Sequence, residues 1–401
     1  MDPDASTSGT LPERPSGTEP PSEWRLAFGM DTVTSGTDVG PPTLERIRRA
    51  PKVVLHDHLD GGLRPATIVE LADEYGYDGL PTTDVDELAR WMLRGANRKD
   101  LTLYLETFAH TVGVMQAPAA IERVARECAE DLAADGVVYA EVRFAPELHT
   151  DRGLSLHQVI ESVLTGFRAG SNGTGLTIRV ICSAMRHLDN GLEVARAAVS
   201  YRDEGVVGFD IAGPEDGYPP DDHLLAFQYC HRENFHVTIH AGEAYGPRSI
   251  WKAIQFCGAE RLGHGIRIVE DWSRAADGDI ELGRLSHFLR DARIPLEVCP
   301  TSNVNTGVVD RIEDHPINRL VELRFRVTVN TDNRLMSGVS MSSEMSALAD
   351  VFDYGWDRLR WLTVNAMKSS FLPFRERLQI IEQVIKPRYA PLEAWEREPP
   401  L

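Results

Sequence analysis

Cysteine is scarce in this chain: five residues in 401, Cys128, Cys182, Cys230, Cys257 and Cys299, scattered and without a C-x-x-C spacing. An odd, scattered set excludes a disulfide framework and a structural zinc ribbon. Several lie in apolar runs such as VICSAM and LEVCP, as small buried hydrophobes in a reducing compartment would. No apolar run reaches the ~18 residues that span a bilayer. The N-terminus lacks the basic start and apolar stretch of a secretory signal, so a cytoplasmic setting is expected. Positive charge is also in short supply: 42 Lys and Arg against 61 Asp and Glu give a formal net charge of −19. That surface repels phosphate backbones and anionic membranes, which leaves neither nucleic acid nor membrane as an expected partner. A small neutral substrate is not excluded.

What is present divides into parts. Residues 1–22, rich in Pro, Ser, Thr and Gly, carry almost no large apolar groups, and the extension over 1–40 is expected to be disordered. Apolar, β-branched runs then recur at Val53–His56, Val137–Phe144, Ile178–Arg186, Val206–Gly213, His236–Glu243, Arg261–Ile266, Ile294–Pro300 and Arg326–Asp332. Helical patterns separate them. In IERVARECAEDLAADG one stripe holds Ile121, Val124, Ala125, Cys128 and Leu132, with Gly136 placed as a C-terminal cap. Strands alternating with helices imply a parallel sheet, and strands without polar alternation imply burial on both faces. Eight such units between residues 52 and 332 approach the ~250 residues of a (β/α)8 TIM barrel, the α/β class expected here. A doubly wound sheet is the alternative, weakened by the missing G-x-G-x-x-G after the first strand. The barrel domain is expected over 41–390, with extra helices over its C-terminal rim and after the last strand, and a loose tail over 391–401. In the insertion 91–116, Leu101, Tyr104, Leu105 and Phe108 share a helical face. They form either an ordinary packing face or an apolar lid.

Active sites of such barrels form at the C-terminal ends of the strands. The first strand, in KVVLHDHLDGG, ends with His56 and His58 at one parity, so both point to one face. The fifth ends at His240 with Glu243 three residues on, the sixth at His264, and the eighth at Asp332. Several imidazoles with a carboxylate on one rim suit Zn²⁺, with Fe²⁺, Co²⁺ or Ni²⁺ as alternatives. The fourth strand, VVGFDIAG, offers no Lys to bridge a second metal, so one ion is favoured. The remaining histidines read as surface or satisfied groups.

HDHLDGG, HAGE, GHG, CPTSN and NTDN occur in the order seen in adenosine deaminases, and the chain resembles that family, in its actinobacterial-type branch, from about Pro51 to Pro387. The resemblance implies a zinc (β/α)8 barrel that hydrolytically deaminates adenosine, and with it 2′-deoxyadenosine, to inosine or deoxyinosine and ammonia. It makes His56, His58, His240 and Asp332 the ligands of one zinc ion and Glu243 the acid that protonates purine N1. His264 takes the proton of the attacking water. Gly213 supplies a backbone N–H to purine N3, and His58 and Asp60 meet the ribose. Asn333 stands where animal relatives carry Asp; an amide donates to purine N7 at any pH, whereas a carboxyl must be protonated to do so. Arg334-Leu335-Met336 departs from a proline-containing continuation and receives no chemical role. Asp60 accepts from a sugar hydroxyl but repels phosphate, which favours a purine nucleoside over a nucleotide. Leu101, Leu105 and Phe108, as a lid, would exclude water. The P-C-x-x-C of the helix-borne deaminase zinc site is absent.

Overall fold

The computed structural model describes residues 39–397. Eight parallel strands pair in sequence order: β1 Lys52–His58, β2 Val137–Phe144, β3 Thr177–Met185, β4 Val206–Ala212, β5 His236–Ala241, β6 Arg261–His264, β7 Pro295–Val298 and β8 Arg326–Val329. The sheet closes on itself. A parallel bridge joins Asp57 to Asp332, His58 N–H donates to the Asp332 carbonyl at 2.7 Å, and Asp332 N–H donates to the His56 carbonyl at 2.9 Å. The side chain of Asn330 extends the seam by accepting from Leu55 N–H at 2.8 Å. This is the expected (β/α)8 barrel. A short antiparallel hairpin, Trp272–Arg274 with Ile280–Leu282, lies outside it.

Several strands stop earlier than their apolar runs. β5 ends at Ala241, β6 at His264 and β8 at Val329. The residues that follow or close them are left-handed: Gly242 (φ 81°), His264 (φ 60°), Gly265 (φ 68°) and Asp332 (φ 58°). Gly242 and Gly265, immediately past β5 and β6, turn the chain at the rim, while β8 ends at Val329, three residues before Asp332. His264 and Asp332 hold this conformation without being glycine, a strain that persists where tertiary structure over-determines it.

The helices Pro118–Ala134 and Leu156–Ser171 pack closely because Gly166 and Gly170 let backbones touch; a Cβ there would lie 2.3 Å from the Glu122 carbonyl and 2.2 Å from that of Arg126. The insertion after β1 is not one helical face. It forms helices Leu101–Leu105 and Phe108–Val114, broken at Glu106 and Thr107. Lys99, just ahead of them, is anchored across the rim: its Nζ donates to the carbonyls of Val304 (2.6 Å) and Asp310 (3.0 Å).

After β8 the helices Arg334–Ser337, Met341–Phe352, Trp356–Ser369 and Phe374–Ile380 lead through a π-turn into Lys386–Arg397. The tail expected to be loose from residue 391 is therefore ordered to Arg397. Glu393 accepts from Arg360 at 2.6 Å, and Glu396 caps Trp356 N–H at 3.0 Å. Residues 398–401 lie outside the described residues, as does the N-terminal extension except its last two positions. Gly40, one of these, accepts from Trp356 Nε1–H at 2.7 Å. Among the described residues no helix is long and apolar enough to cross a membrane.

The barrel interior is charged. Arg143 on β2 donates to Asp210 on β4 (3.0 Å) and to Glu297 on β7 (2.7 Å). Arg261 on β6 pairs with Glu297 and with Glu141 on β2, each at 2.6 Å. All five are buried, and such groups persist only when each charge meets its opposite.

Candidate active site

At the C-terminal rim, one ligand atom from each of His56, His58, His240 and Asp332 lies within 4.8 Å of the others. His58 Nε2 and His240 Nε2 face each other at 3.2 Å, and Asp332 Oδ1 lies 3.3 Å from His58 Nε2 and 3.4 Å from His56 Nε2. The opposite nitrogens are held from behind. His56 Nδ1 is 2.9 Å from Glu297 Oε2, and His240 Nδ1 is 2.9 Å from Asp210 Oδ2. Burial would raise Glu297, but Arg143 and Arg261 hold its carboxyl well below the usual range. Asp210 is likewise held low, by His240 and Arg143 against its burial. An ionised carboxylate only accepts, so Nδ1 of His56 carries the proton and its Nε2 lone pair points inward; Nδ1 of His240 lies at ion-pair distance from Asp210 without hydrogen-bond geometry.

These residues fit a metal ion. His56 Nε2 is buried without a hydrogen-bond partner, and only one proton fits between the facing Nε2 atoms of His58 and His240. Three neutral imidazoles and a carboxylate are a zinc-type donor set. An overlapping group, His56, His264, Cys299 and Asp332, is a poorer one. Burial and neighbouring carboxylates raise the Cys299 thiol well above its normal value, so it stays protonated.

Glu243 and His264 stand beside the cluster, with His264 Nε2 3.5 Å from Glu243 Oε2. Burial, then Asp332 and Glu215, push the Glu243 carboxyl well above its ordinary range, which favours the protonated form. Its turn is held by Glu215, whose two oxygens accept the backbone N–H groups of Gly242 (2.7 Å), Glu243 (3.0 Å), Ala244 (2.7 Å) and Tyr245 (2.9 Å).

A relay sets the tautomer of His264. Ile317 N–H donates to His315 Nδ1 at 3.0 Å, and burial lowers His315 to about 3, keeping it neutral. Its proton therefore sits on Nε2 and points to Asn303 Oδ1 at 3.2 Å. The Asn303 amide nitrogen then donates to His264 Nδ1 at 3.1 Å. A neutral His264 carries its proton on Nε2, facing Glu243 and the cluster.

The other expected residues are placed as follows. Gly213 follows β4 at φ 97°, a turn that favours glycine. Asp60 is buried behind His58, 4.0 Å from its Nδ1, with Oδ1 unpartnered and its carboxyl pushed up to about 7 by burial. Asn333 is buried over Gly61, its Oδ1 unpartnered. Leu101 and Phe108 pack half-buried against the core, and Leu105 is half-buried. The insertion residue that reaches the cluster is Tyr104. Its buried hydroxyl meets Ser337 at 3.4 Å and the Asn333 amide, and feels the charges of Asp332 and Glu243. Arg334, given no chemical role, clamps the barrel seam. Its Nε donates to Asp57 at 2.9 Å, between the paired histidines, and its Nη2 to Cys128 Sγ at 3.0 Å.

Sequence reasoning missed Asp210, Glu297, Glu215 and Asn303, and placed Tyr104 only on the shared helical face of the insertion. The first two carried a signal, since an acid within an apolar strand run must be paired when buried. Tyr104 had a weaker one, a hydroxyl in an aliphatic stripe. Glu215, in PEDGYPP, looks like any solvated turn.

The family model described as adenosine deaminase matches residues 51–387. The chain is 60% identical over 357 residues to the adenosine deaminase of Mycolicibacterium vanbaalenii, covering 88% of this chain and 99% of that one. It is 59% identical over 358 residues to adenosine deaminase 1 of Streptomyces coelicolor, covering 88% and 90%. Among solved structures, the adenine deaminase of Arthrobacter aurescens aligns with a TM-score of 0.76 at 25% identity, over 88% of this chain and 100% of that one. The N6-mAMP deaminase of Arabidopsis aligns with a TM-score of 0.72 at 25% identity, over 84% and 98%. One barrel thus serves proteins named for a base and for a nucleotide, and the fold does not choose among substrates. The sequence match runs instead through the rim itself, from β1 to the helices beyond β8, and on that ground the chain belongs to the adenosine deaminase family.

Proposed function

We propose that this chain is an enzyme that hydrolytically deaminates adenosine and 2′-deoxyadenosine to inosine or deoxyinosine and ammonia, using one zinc ion held by His56, His58, His240 and Asp332. The observation that carries the reading is the convergence of these four ligand atoms beside a buried carboxyl, Glu243, that favours its protonated form. When bound, zinc supplies a Lewis acid that makes water a nucleophile near neutral pH.

The chain's own residues do the rest. Purine C6 is a poor electrophile until N1 gains a proton, and Glu243 holds that proton in a site closed to solvent. Glu215 fixes the turn from which Glu243 reaches N1. His264, with its proton on Nε2 in the neutral ring, donates to the oxygen arriving at C6 and stabilises the charge that develops there; the carboxylate that Glu243 becomes after giving its proton to N1 takes the hydroxyl proton of the adduct and delivers it to the amino group, which leaves as ammonia. Asn333 donates from its amide to N7, and Gly213 N–H donates to N3. Tyr104 orients the Asn333 amide. His58 and Asp60 take the ribose, while Leu101, Leu105 and Phe108 keep bulk water away. A buried carboxyl facing the sugar supports a nucleoside rather than a nucleotide. Five free, buried cysteines fit a reducing, cytoplasmic setting for purine metabolism. The test is the absorbance change as adenosine becomes inosine, with and without a chelator. Turnover that the chelator abolishes and added zinc restores is expected; no turnover of any aminopurine overturns the reading.

A further inference from the structure

At the opposite end of the barrel, where β5 to β8 begin, lies a hollow of about 230 Å³. Besides Arg261, four cationic side chains line it: Arg293, Arg326, Lys368 and Arg377. None has a carboxylate partner among the described residues. Arg293 donates to the Arg324 carbonyl at 2.6 Å, and Arg377 to the carbonyls of Lys368 (2.9 Å) and Ser370 (3.4 Å). The half-buried Arg326 and the exposed Lys368 meet no acceptor among the described residues. The Nε atoms of Arg326 and Arg377 are buried and unpartnered, as is Nη2 of Arg261, a side chain only 1% exposed whose other nitrogens are held by Glu141 and Glu297. The one carboxylate lining the hollow, Glu260, is engaged by His236 at 2.9 Å and by Val237 N–H at 3.2 Å.

In a chain with 61 acidic and 42 basic residues, cations normally find carboxylates. Here four gather without one, and the arginines repel each other: burial, then Arg293 and Arg377, lower the Arg326 guanidinium. An anion relieves both the repulsion and the unmet donors. The volume is below the roughly 300–1,000 Å³ of pockets for larger ligands, which suits a phosphoryl-sized group. Guanidinium forks match its oxygens.

We propose that this hollow binds a small phosphoryl oxyanion, as free phosphate or as a phosphate monoester, through Arg293, Arg326, Arg377 and Lys368. The site is separate from the rim cluster, and the proposal does not depend on the reaction catalysed there.

The test is calorimetric titration of the full-length, metal-loaded protein with inorganic phosphate at constant ionic strength. One saturable site is expected, weakened about tenfold or more in R326Q and in R377Q, with adenosine turnover unchanged as evidence of folding. Ribose 5-phosphate is the second probe: tighter binding than phosphate assigns the hollow to a monoester, weaker binding to the free anion. Should the variants fail to fold, the parent protein alone decides, because phosphate then raises its Tm saturably and chloride of equal ionic strength does not. No saturable binding, no Tm shift, or equal affinity in the parent and in R326Q/R377Q overturns the proposal.

Discussion

Two groups of buried charged side chains share this barrel. In its interior, Arg143 and Arg261 lie among Asp210, Glu297 and Glu141, and each charge meets its opposite at hydrogen-bond distance. At the rim, His56, His58, His240 and Asp332 turn like against like, nitrogen lone pairs facing each other and a carboxylate oxygen. The interior set is complete as it stands. The rim set could hold a cation, and the interior braces it, since Glu297 and Asp210 reach forward to the Nδ1 atoms of His56 and His240. Pairing marks the structural group, and unmet donors mark the functional one. The two are joined by the same carboxylates.

The largest expected effect separates the rim's chemistry from its metal. E243Q keeps the geometry but has no acidic proton, so kcat should fall about 10²–10⁴-fold with zinc content, by elemental analysis, unchanged. Retained activity would break the assignment of Glu243 as the acid. The interior is probed by R143M, which takes the buried arginine from Asp210 and leaves Glu297 with Arg261 as its one remaining arginine. A loss of about 3–5 kcal/mol in denaturant unfolding is expected, together with weaker metal retention because the two imidazoles lose their backing. Unchanged stability would deny the interior its structural role. E215Q tests the turn between them. An amide has one acceptor oxygen where four N–H groups converge on two. A fall in kcat of about tenfold at full metal content is expected, and lost metal without lost kcat per metal would argue against positioning. N333D should have the smallest effect, a reduction in kcat/KM of about an order of magnitude or less that deepens as pH rises. The new carboxyl donates to N7 only while protonated, and the amide it replaces does not titrate. A pH-independent ratio to the parent would remove the N7 contact from the mechanism.

The sequence by itself determined the architecture and the side chains that gather at the rim. Parity placed His56 and His58 on one face of β1, and the alternation of eight apolar runs with helices led to a closed parallel barrel, whose strand ends gather at one rim. These features repeat with a short period, so local physics reveals them. What the tertiary structure decided is long-range or conformational. The left-handed backbone at Gly242 and Gly265 ends β5 and β6 where apolarity alone would extend them, because ladder geometry and not hydrophobicity ends a strand. The bond of Glu393 to Arg360 and the capping of the helix Trp356–Ser369 by Glu396 tie down the last helix through residues expected to be loose. The proton position on His264 depends on Asn303, 39 positions away, and through it on His315 and a backbone N–H. Glu215 reads in sequence as a solvated loop acid and becomes the anchor of the Glu243 turn only when residues 27 to 30 positions away fold back to it. A side chain's identity is local, but its proton, its partner and its exposure depend on groups brought to it by the whole fold.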